Sequence, residues 1–281
     1  MDRVIKFRGK LKINEQWIFG GYLAPNRLGG FYEDDKLWTA EVYPKTVGEF
    51  TGFKDIDGKE IFDKENHKTL PPEIERMFPD YSIYPQFDFA VSMTSRGCPR
   101  GCSFCHVAAK EGRCSVKVAN VSDFWNGQPE IRILDPNITA CRDKRDLMKQ
   151  YMETGAMLDF TQGLDIRCLN DADIDDINHM RLRTLHFAWD NPKDDLEGKF
   201  RAFANGFRRK TKIGMVYCLT NFNSTMEENL YRIYTLRDLG YDPYVMIYNK
   251  PSASKEIRAL QRWCNNKIIF KSCRKFEDYK G

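Results

Sequence analysis

Beyond Pro85 the chain repeats one pattern six times, a short apolar run followed by a longer amphipathic segment. The apolar runs fall at residues 89–93, 131–134, 158–161, 184–188, 213–219 and 244–248. The amphipathic stretches cover 102–110, 143–154, 171–180, 194–209, 225–239 and 254–265, and their periodicity predicts helices. Cap signals agree: Asp143 precedes an apolar-periodic run, Ser224 and Thr225 open another, and Gly240 closes it where a left-handed residue is wanted. Strand followed by helix, repeated, requires parallel strands joined by right-handed crossovers. The fold class is therefore α/β, either a barrel or an open doubly wound sheet. In both, the chemistry belongs at the carboxyl ends of the strands.

The first 62 residues have a different texture, rich in Gly and aromatics, with short apolar runs broken by turn signals at 16–22, at 28–32 and around Asp57-Gly58. That pattern reads as β-hairpins. The polar stretch 63–68 and then Pro71-Pro72 mark a linker, so the expected organisation is a small β-rich domain at 1–67 and an α/β domain at 68–281. A length of 281 residues suits one full domain plus a small one. Hydrophobic residues at 42% against 30% charged exclude a disordered, collagen-like or coiled-coil chain. The longest uncharged stretch, 213–226, is shorter than the roughly 18–20 apolar residues a membrane helix needs. Charges at Asp2, Arg3, Lys6 and Arg8 stand where a secretory signal would be apolar, so the expected compartment is the cytoplasm. The net charge is +4, and residues 1–70 hold 12 charges of each sign, so the whole excess lies in 71–281. So small an excess makes a nucleic-acid partner possible without indicating one.

Nine cysteines in a chain of this kind point to reduced thiols rather than disulfides. Three of them, Cys98, Cys102 and Cys105, form a C-x3-C-x2-C spacing just after the first expected strand of the repeat. Gly97 and Gly101 let the backbone fold tightly there, and three thiolates on one short loop are what an iron–sulfur site requires. Three ligands rather than four leave one iron of a four-iron cluster open to another molecule. Structural zinc with His106 as fourth ligand is an alternative, although adjacent Cys105 and His106 strain to reach one tetrahedral ion. A purely structural thiol cluster is another.

In the segment Thr94-Ser95-Arg96-Gly97-Cys98-Pro99-Arg100-Gly101-Cys102-Ser103-Phe104-Cys105 the chain resembles the radical S-adenosylmethionine (SAM) superfamily, with Phe104 as the aromatic of its C-x3-C-x-(aromatic)-C signature. The wording looks most like members borne by phages and mobile elements and their methylthiotransferase-like relatives. The resemblance covers residues 68–281 and implies a partial (β/α)6 barrel. It further implies a [4Fe–4S] cluster on Cys98, Cys102 and Cys105, with SAM chelating the fourth iron by its amino and carboxylate groups. A low-potential electron donor of flavodoxin or ferredoxin type is implied as partner, the substrate is unknown, and no residue is singled out as catalytic. Strand-end polar residues are the candidates for cofactor contact: Asp135 and Asn137, Gln162 and Arg167, Asp190, and Asn221. The plainer reading for Asp135, Asp190 and Asn221 is that they cap the helices that follow.

Cys114, Cys141, Cys168, Cys218, Cys264 and Cys273 have no spacing for a second cluster and read as packing residues, Cys141 being the one nearest a strand end. His179 and His186 read as packing or surface residues. Arg96, Arg100, Lys110, Arg113 and Lys117 form a basic neighbourhood that either receives a phosphate or offsets the charge of a cluster and a carboxylate. Residues 5–10, 17–22 and 46–62 resemble the amino-terminal part of the YopX-type phage proteins, a β-rich family without assigned chemistry. Both resemblances are truncated near the same point, which implies a recombined chain. The functional expectations are a radical SAM enzyme of a mobile element, a non-catalytic iron–sulfur or phage assembly protein, or an RNA methylthiotransferase-like enzyme.

Overall fold

In the computed structural model, the residues described are 7–14, 16–24, 27–31, 37–42, 48–54, 60–62, 77–83, 85–208 and 213–280. The chain divides into two compact units, Met1–Thr69 and Leu70–Gly281.

The first unit holds β1 (Phe7–Lys10), β2 (Trp17–Ala24), β3 (Arg27–Phe31), β4 (Leu37–Glu41), β5 (Gly48–Lys54) and β6 (Glu60–Phe62), in one antiparallel sheet of order β4-β3-β2-β1-β5-β6. The β-rich texture thus forms hairpins, β2 with β3 and β3 with β4 among them. Leu28 and Val42 are buried, with Leu11 and Ile18 packed against them. The Asp57-Gly58 turn, the 63–68 stretch and Pro71-Pro72 lie outside the described residues.

The second unit contains β7 (Phe89–Ser92), β8 (Ser95–Arg96), β9 (Val116–Lys117), β10 (Glu130–Ile133), β11 (Met157–Phe160), β12 (Leu182–Thr184), β13 (His186–Ala188), β14 (Met215–Thr220) and β15 (Asp242–Ile247). One parallel ladder runs β7-β10-β11-β12 and another β13-β14-β15. Only Leu185 separates β12 from β13, so the expected fourth strand is one run of chain shared by both ladders. Strand order therefore follows chain order from β7 to β15, without the reversal that defines a doubly wound sheet.

Between the strands lie α1 (Val107–Glu111), α2 (Lys144–Glu153), α3 (Asp171–His179), α4 (Glu197–Gly206), α5 (Met226–Asp238), α6 (Lys255–Asn265) and α7 (Lys267–Ser272). Four helical segments end within two residues of their expected bounds. The 102–110 segment shrinks to α1: Cys105 N–H donates to Cys102 O (3.0 Å) in a single isolated turn, and the helix begins only after the N-cap His106. The 194–209 segment starts later, since a turn at Asn191–Asp194 precedes it. Helix α7 was not expected; it begins because the Asn266 side chain accepts from Ile268 N and Ile269 N.

Side chains alternate along the parallel strands. Ala90, Ile131, Leu158, Phe187 and Val216 pack in a core with Leu147, Tyr151, Phe200, Phe203 and Leu236 of the helices, while Val245 packs with Leu260 and Trp263. The intervening residues Arg132, Asp159, His186, Tyr217 and Tyr244 are only half-buried, so the opposite face of the sheet is polar and aromatic.

The outer strands do not pair with each other, and a side chain occupies each edge. At β7 the Tyr81 hydroxyl accepts from Val91 N (3.1 Å) and donates to Phe124 O (2.8 Å). At β15 the Asn265 carboxamide accepts from Val245 N (2.8 Å) and donates to Val245 O (3.0 Å), with Gln261 donating to the same carbonyl. No described helix is long and apolar enough to cross a membrane.

Candidate metal centre

The three spaced cysteines lie on the connection that leaves the carboxyl end of β7. The chain passes through Thr94 into β8, which pairs with β9, and the cysteine loop fills the space between the two short strands. Gly97 sits at φ +85, and a Cβ there would stand 2.1 Å from the Cys114 carbonyl oxygen, so only glycine fits. Cys98 N donates to Gly112 O (3.1 Å), and Gly97 N donates to the Glu111 carboxylate (3.1 Å). Gly101, at φ +57, makes the second sharp bend against the Arg113 guanidinium.

Asp135, beyond β10, anchors the entrance of this loop. Its carboxylate is 2% exposed and accepts from Thr94 N (2.9 Å), Thr94 Oγ1 (2.8 Å), Ser95 N (2.6 Å) and Ser95 Oγ (2.6 Å). Burial pushes its pKa up against these four bonds. The carboxylate, a candidate for cofactor contact, thus accepts from the backbone and hydroxyls of the loop's first residues. Asp135→Asn would turn an amide NH2 toward one of these donors, and we expect a loss of about 1–3 kcal/mol together with faster tryptic cleavage at Arg100. An unchanged urea midpoint and cleavage rate would show that the bracket does not hold the loop.

Asn137 does two jobs. Its Oδ1 accepts from Ala140 N (3.2 Å) and Thr139 Oγ1 (2.9 Å), capping a short 3-10 turn. Its Nδ2 donates to Cys98 Sγ (3.5 Å) and Asp165 Oδ2 (3.4 Å). Were Cys98 a metal ligand, this N–H would tune the charge on its sulfur.

An ion-pair chain ties the loop to the next strand ends. Arg100 Nε lies 2.7 Å from Asp165 Oδ2, Arg167 Nε lies 2.6 Å from Asp165 Oδ1, and Arg167 Nη1 lies 2.6 Å from Asp194 Oδ2. Burial pushes Asp165 up, but the bonds and charges of Arg167 and Arg100 outweigh it and hold the carboxyl below its ordinary value. The Cys102 thiol is pushed up by burial and by the neighbouring Cys98, Asp190 and Cys105, with Arg167 opposing. Burial raises Asp190 to about 6, against its bond from Leu219 N and the charges of Arg232 and Arg167.

Arg232 of α5 fixes the strand ends that carry this part of the site. It is fully buried, and its guanidinium donates to the carbonyls of Trp189, Asp190 (2.9 Å) and Leu219 (3.0 Å) and to Asn229 Oδ1 (2.6 Å). Asn221 adopts φ +60 and donates to Tyr248 O (2.8 Å), bracing the end of β15. Neither Asp190, Asn221 nor Asp135 caps the following helix; Leu196 and Thr225 hold the N-cap positions of α4 and α5, and Asn137 that of the 3-10 turn. Phe104 meets Phe222 edge-on (5.6 Å), and Phe222 meets Tyr248 (4.8 Å), so the cysteine loop reaches the ends of β14 and β15. Gln162 is exposed at the turn after β11, and His106 stands at the start of α1.

All nine cysteines are free thiols, and Cys141, Cys218 and Cys264 are buried. Among the described residues no three His, Cys, Asp or Glu side chains converge on one point in this structure. The donor set fits an iron–sulfur group nonetheless in its chemistry: three thiols on one loop, two glycine bends that admit no Cβ or little more, and an amide N–H on one sulfur. Sequence reasoning missed a row on the open face. His186 Nδ1–H donates to Phe160 O (3.0 Å), its ring lies parallel to Tyr217 (5.7 Å), and Tyr217 meets Tyr244 edge-on (5.9 Å). Its signal was the alternation of Asp159, His186, Tyr217 and Tyr244 with buried apolar neighbours. No family model matches the chain, and no curated protein matches it either.

Proposed function

We propose that residues 70–281 form a radical SAM protein built on a partial (β/α)6 barrel. The observation that carries the reading is the placement of Cys98, Cys102 and Cys105 together on the loop that leaves the first of six parallel strands at its carboxyl end. The contact of Phe104 with Phe222 brings the cysteine loop over the fifth strand end, as a curved sheet would favour. The side chains on both outer edges support an open rather than closed barrel.

Cys98, Cys102 and Cys105 would hold a [4Fe–4S] group and leave one iron for the amino and carboxylate groups of SAM. One-electron cleavage of the sulfonium, giving methionine and a 5′-deoxyadenosyl radical, is the chemistry that the group supplies when bound. The chain's own task is positioning. Asn137 donates toward one of the three sulfurs, Arg100 and Arg167 place positive charge beside the loop, and Phe104 packs against Phe222 at the fifth strand end. The free thiols suit a reducing cytoplasm, and the electron comes from a low-potential flavodoxin- or ferredoxin-type donor. The first unit reads as a YopX-like segment from a mobile element.

Anaerobically reconstituted protein mixed with SAM and dithionite is expected to release 5′-deoxyadenosine. Its absence from protein carrying a full complement of iron and sulfide would overturn the reading.

A further inference from the structure

The charge of the chain is concentrated at one place. Residues 250–280 hold nine Lys and Arg against three Asp and Glu, more than the +4 excess of the whole sequence. Three of these cations, Lys250, Arg258 and Arg262, line an open cleft of about 670 Å³ beside the edge of β15, and no acidic residue lines it. Arg258 is held in place, its guanidinium donating to the carbonyls of Lys250 (2.9 Å), Pro251 (3.1 Å) and Ala253 (3.2 Å). Lys250 and Arg262 are exposed, and among the described residues no carboxylate pairs with them. The remaining wall is carboxamide, from Gln261, Asn265 and Asn266.

Tyr244 also lines the cleft, and it is the end of the aromatic row on the open face of the sheet. From Tyr244 at the cleft, ring contacts lead on through Tyr217 to His186. Cations at one end and aromatic faces beyond them match the phosphate and the base of a nucleotide in that order. An acidic protein surface would meet the cations but leave the aromatic row without a partner.

We propose that this cleft and row bind a nucleotide unit of single-stranded nucleic acid, with Lys250, Arg258 and Arg262 on the phosphate and Tyr244, Tyr217 and His186 beside the base. The proposal rests on the radical reading in one respect, that it gives the enzyme a substrate class. A binding assay, however, needs neither SAM nor a reductant.

The test is fluorescence anisotropy of a labelled single-stranded RNA on the full chain, before and after cluster reconstitution, over a range of salt. Binding that weakens with salt is expected. Arg262→Glu should weaken it at least tenfold and lower the salt slope by about one phosphate. Tyr244→Leu should weaken it about tenfold with the slope unchanged. Lys149→Glu, on the exposed side of α2, changes the net charge equally and should leave binding intact. Displacement by adenosine monophosphate would assign the site to a single nucleotide, and resistance to it would assign a longer strand. No binding at low salt, equal losses in Arg262→Glu and Lys149→Glu, or displacement of the RNA by polyglutamate as readily as by unlabelled RNA would each overturn the proposal. Failure of binding with 5′-deoxyadenosine still produced would leave the radical reading standing, and the converse result would sink that reading alone.

Discussion

On the proposed iron–sulfur reading, reconstitution gives the wild-type chain a brown absorbance and about four irons, and Cys102→Ala is expected to lose both. Cys102 is the middle thiol of the loop, and its environment already includes the other two thiols of the triplet, Asp190 and Arg167. Alanine removes a ligand without filling the space, and two remaining thiolates do not hold a cubane. Release of 5′-deoxyadenosine should disappear with the colour. Cys264→Ala is the matched control. That thiol is fully buried in the apolar cluster of Trp263, Leu260 and Phe270, and burial pushes its pKa up. Its replacement should cost about 1 kcal/mol of packing and leave the absorbance unchanged. Wild-type iron in the Cys102 variant would refute the ligand assignment, whatever became of its activity.

Arg232→Met is expected to lower the unfolding free energy by about 3–5 kcal/mol, read from the urea midpoint at constant slope. Methionine keeps most of the aliphatic volume, so the loss isolates the guanidinium. Without it the carbonyls of Trp189, Asp190 and Leu219, which end β13 and β14, are left buried and unpaired. Removing the charge also returns its desolvation cost, which is why the net figure is smaller than three orphaned carbonyls would suggest. Arg232→Lys keeps a charge but not the planar fork, and should fall between wild type and methionine. A loss under about 1 kcal/mol for the methionine variant would mean that water replaces the guanidinium at the strand ends.

The strand–helix rhythm was legible because each unit buries its own apolar face, and local periodicity reports that burial directly. Its boundaries were less so where a side chain far along the chain decides them. The expected helix from Cys102 shortened to α1 because the loop obeys its glycines and its turn rather than the apolar spacing. The cysteine triplet was visible as spacing, but what surrounds it was not. Asp135 reads in the sequence like a ligand or a cap, and it is instead the acceptor for residues 94 and 95, some forty positions earlier. Asp165 stood in the polar set after the third strand but not among the expected contacts, although it joins Arg100 to Arg167. His186 read as packing because a lone histidine beside phenylalanine carries no sign of which face of the strand it takes; only the pairing with β14 places it against Tyr217.

The capped outer strands bear on how any partner is recognised. A sheet whose rim offers unpaired amides invites an incoming peptide to add itself as another strand, the mode by which many modules capture extended segments. Here Tyr81 at Val91 and Asn265 at Val245 already occupy the backbone groups such a peptide would read. β-Augmentation at either end of the parallel sheet is thereby blocked, and with it runaway edge-to-edge association. Selectivity must come from side chains on the loops and on the open face, where a single substitution can retune it without disturbing the register of the strands.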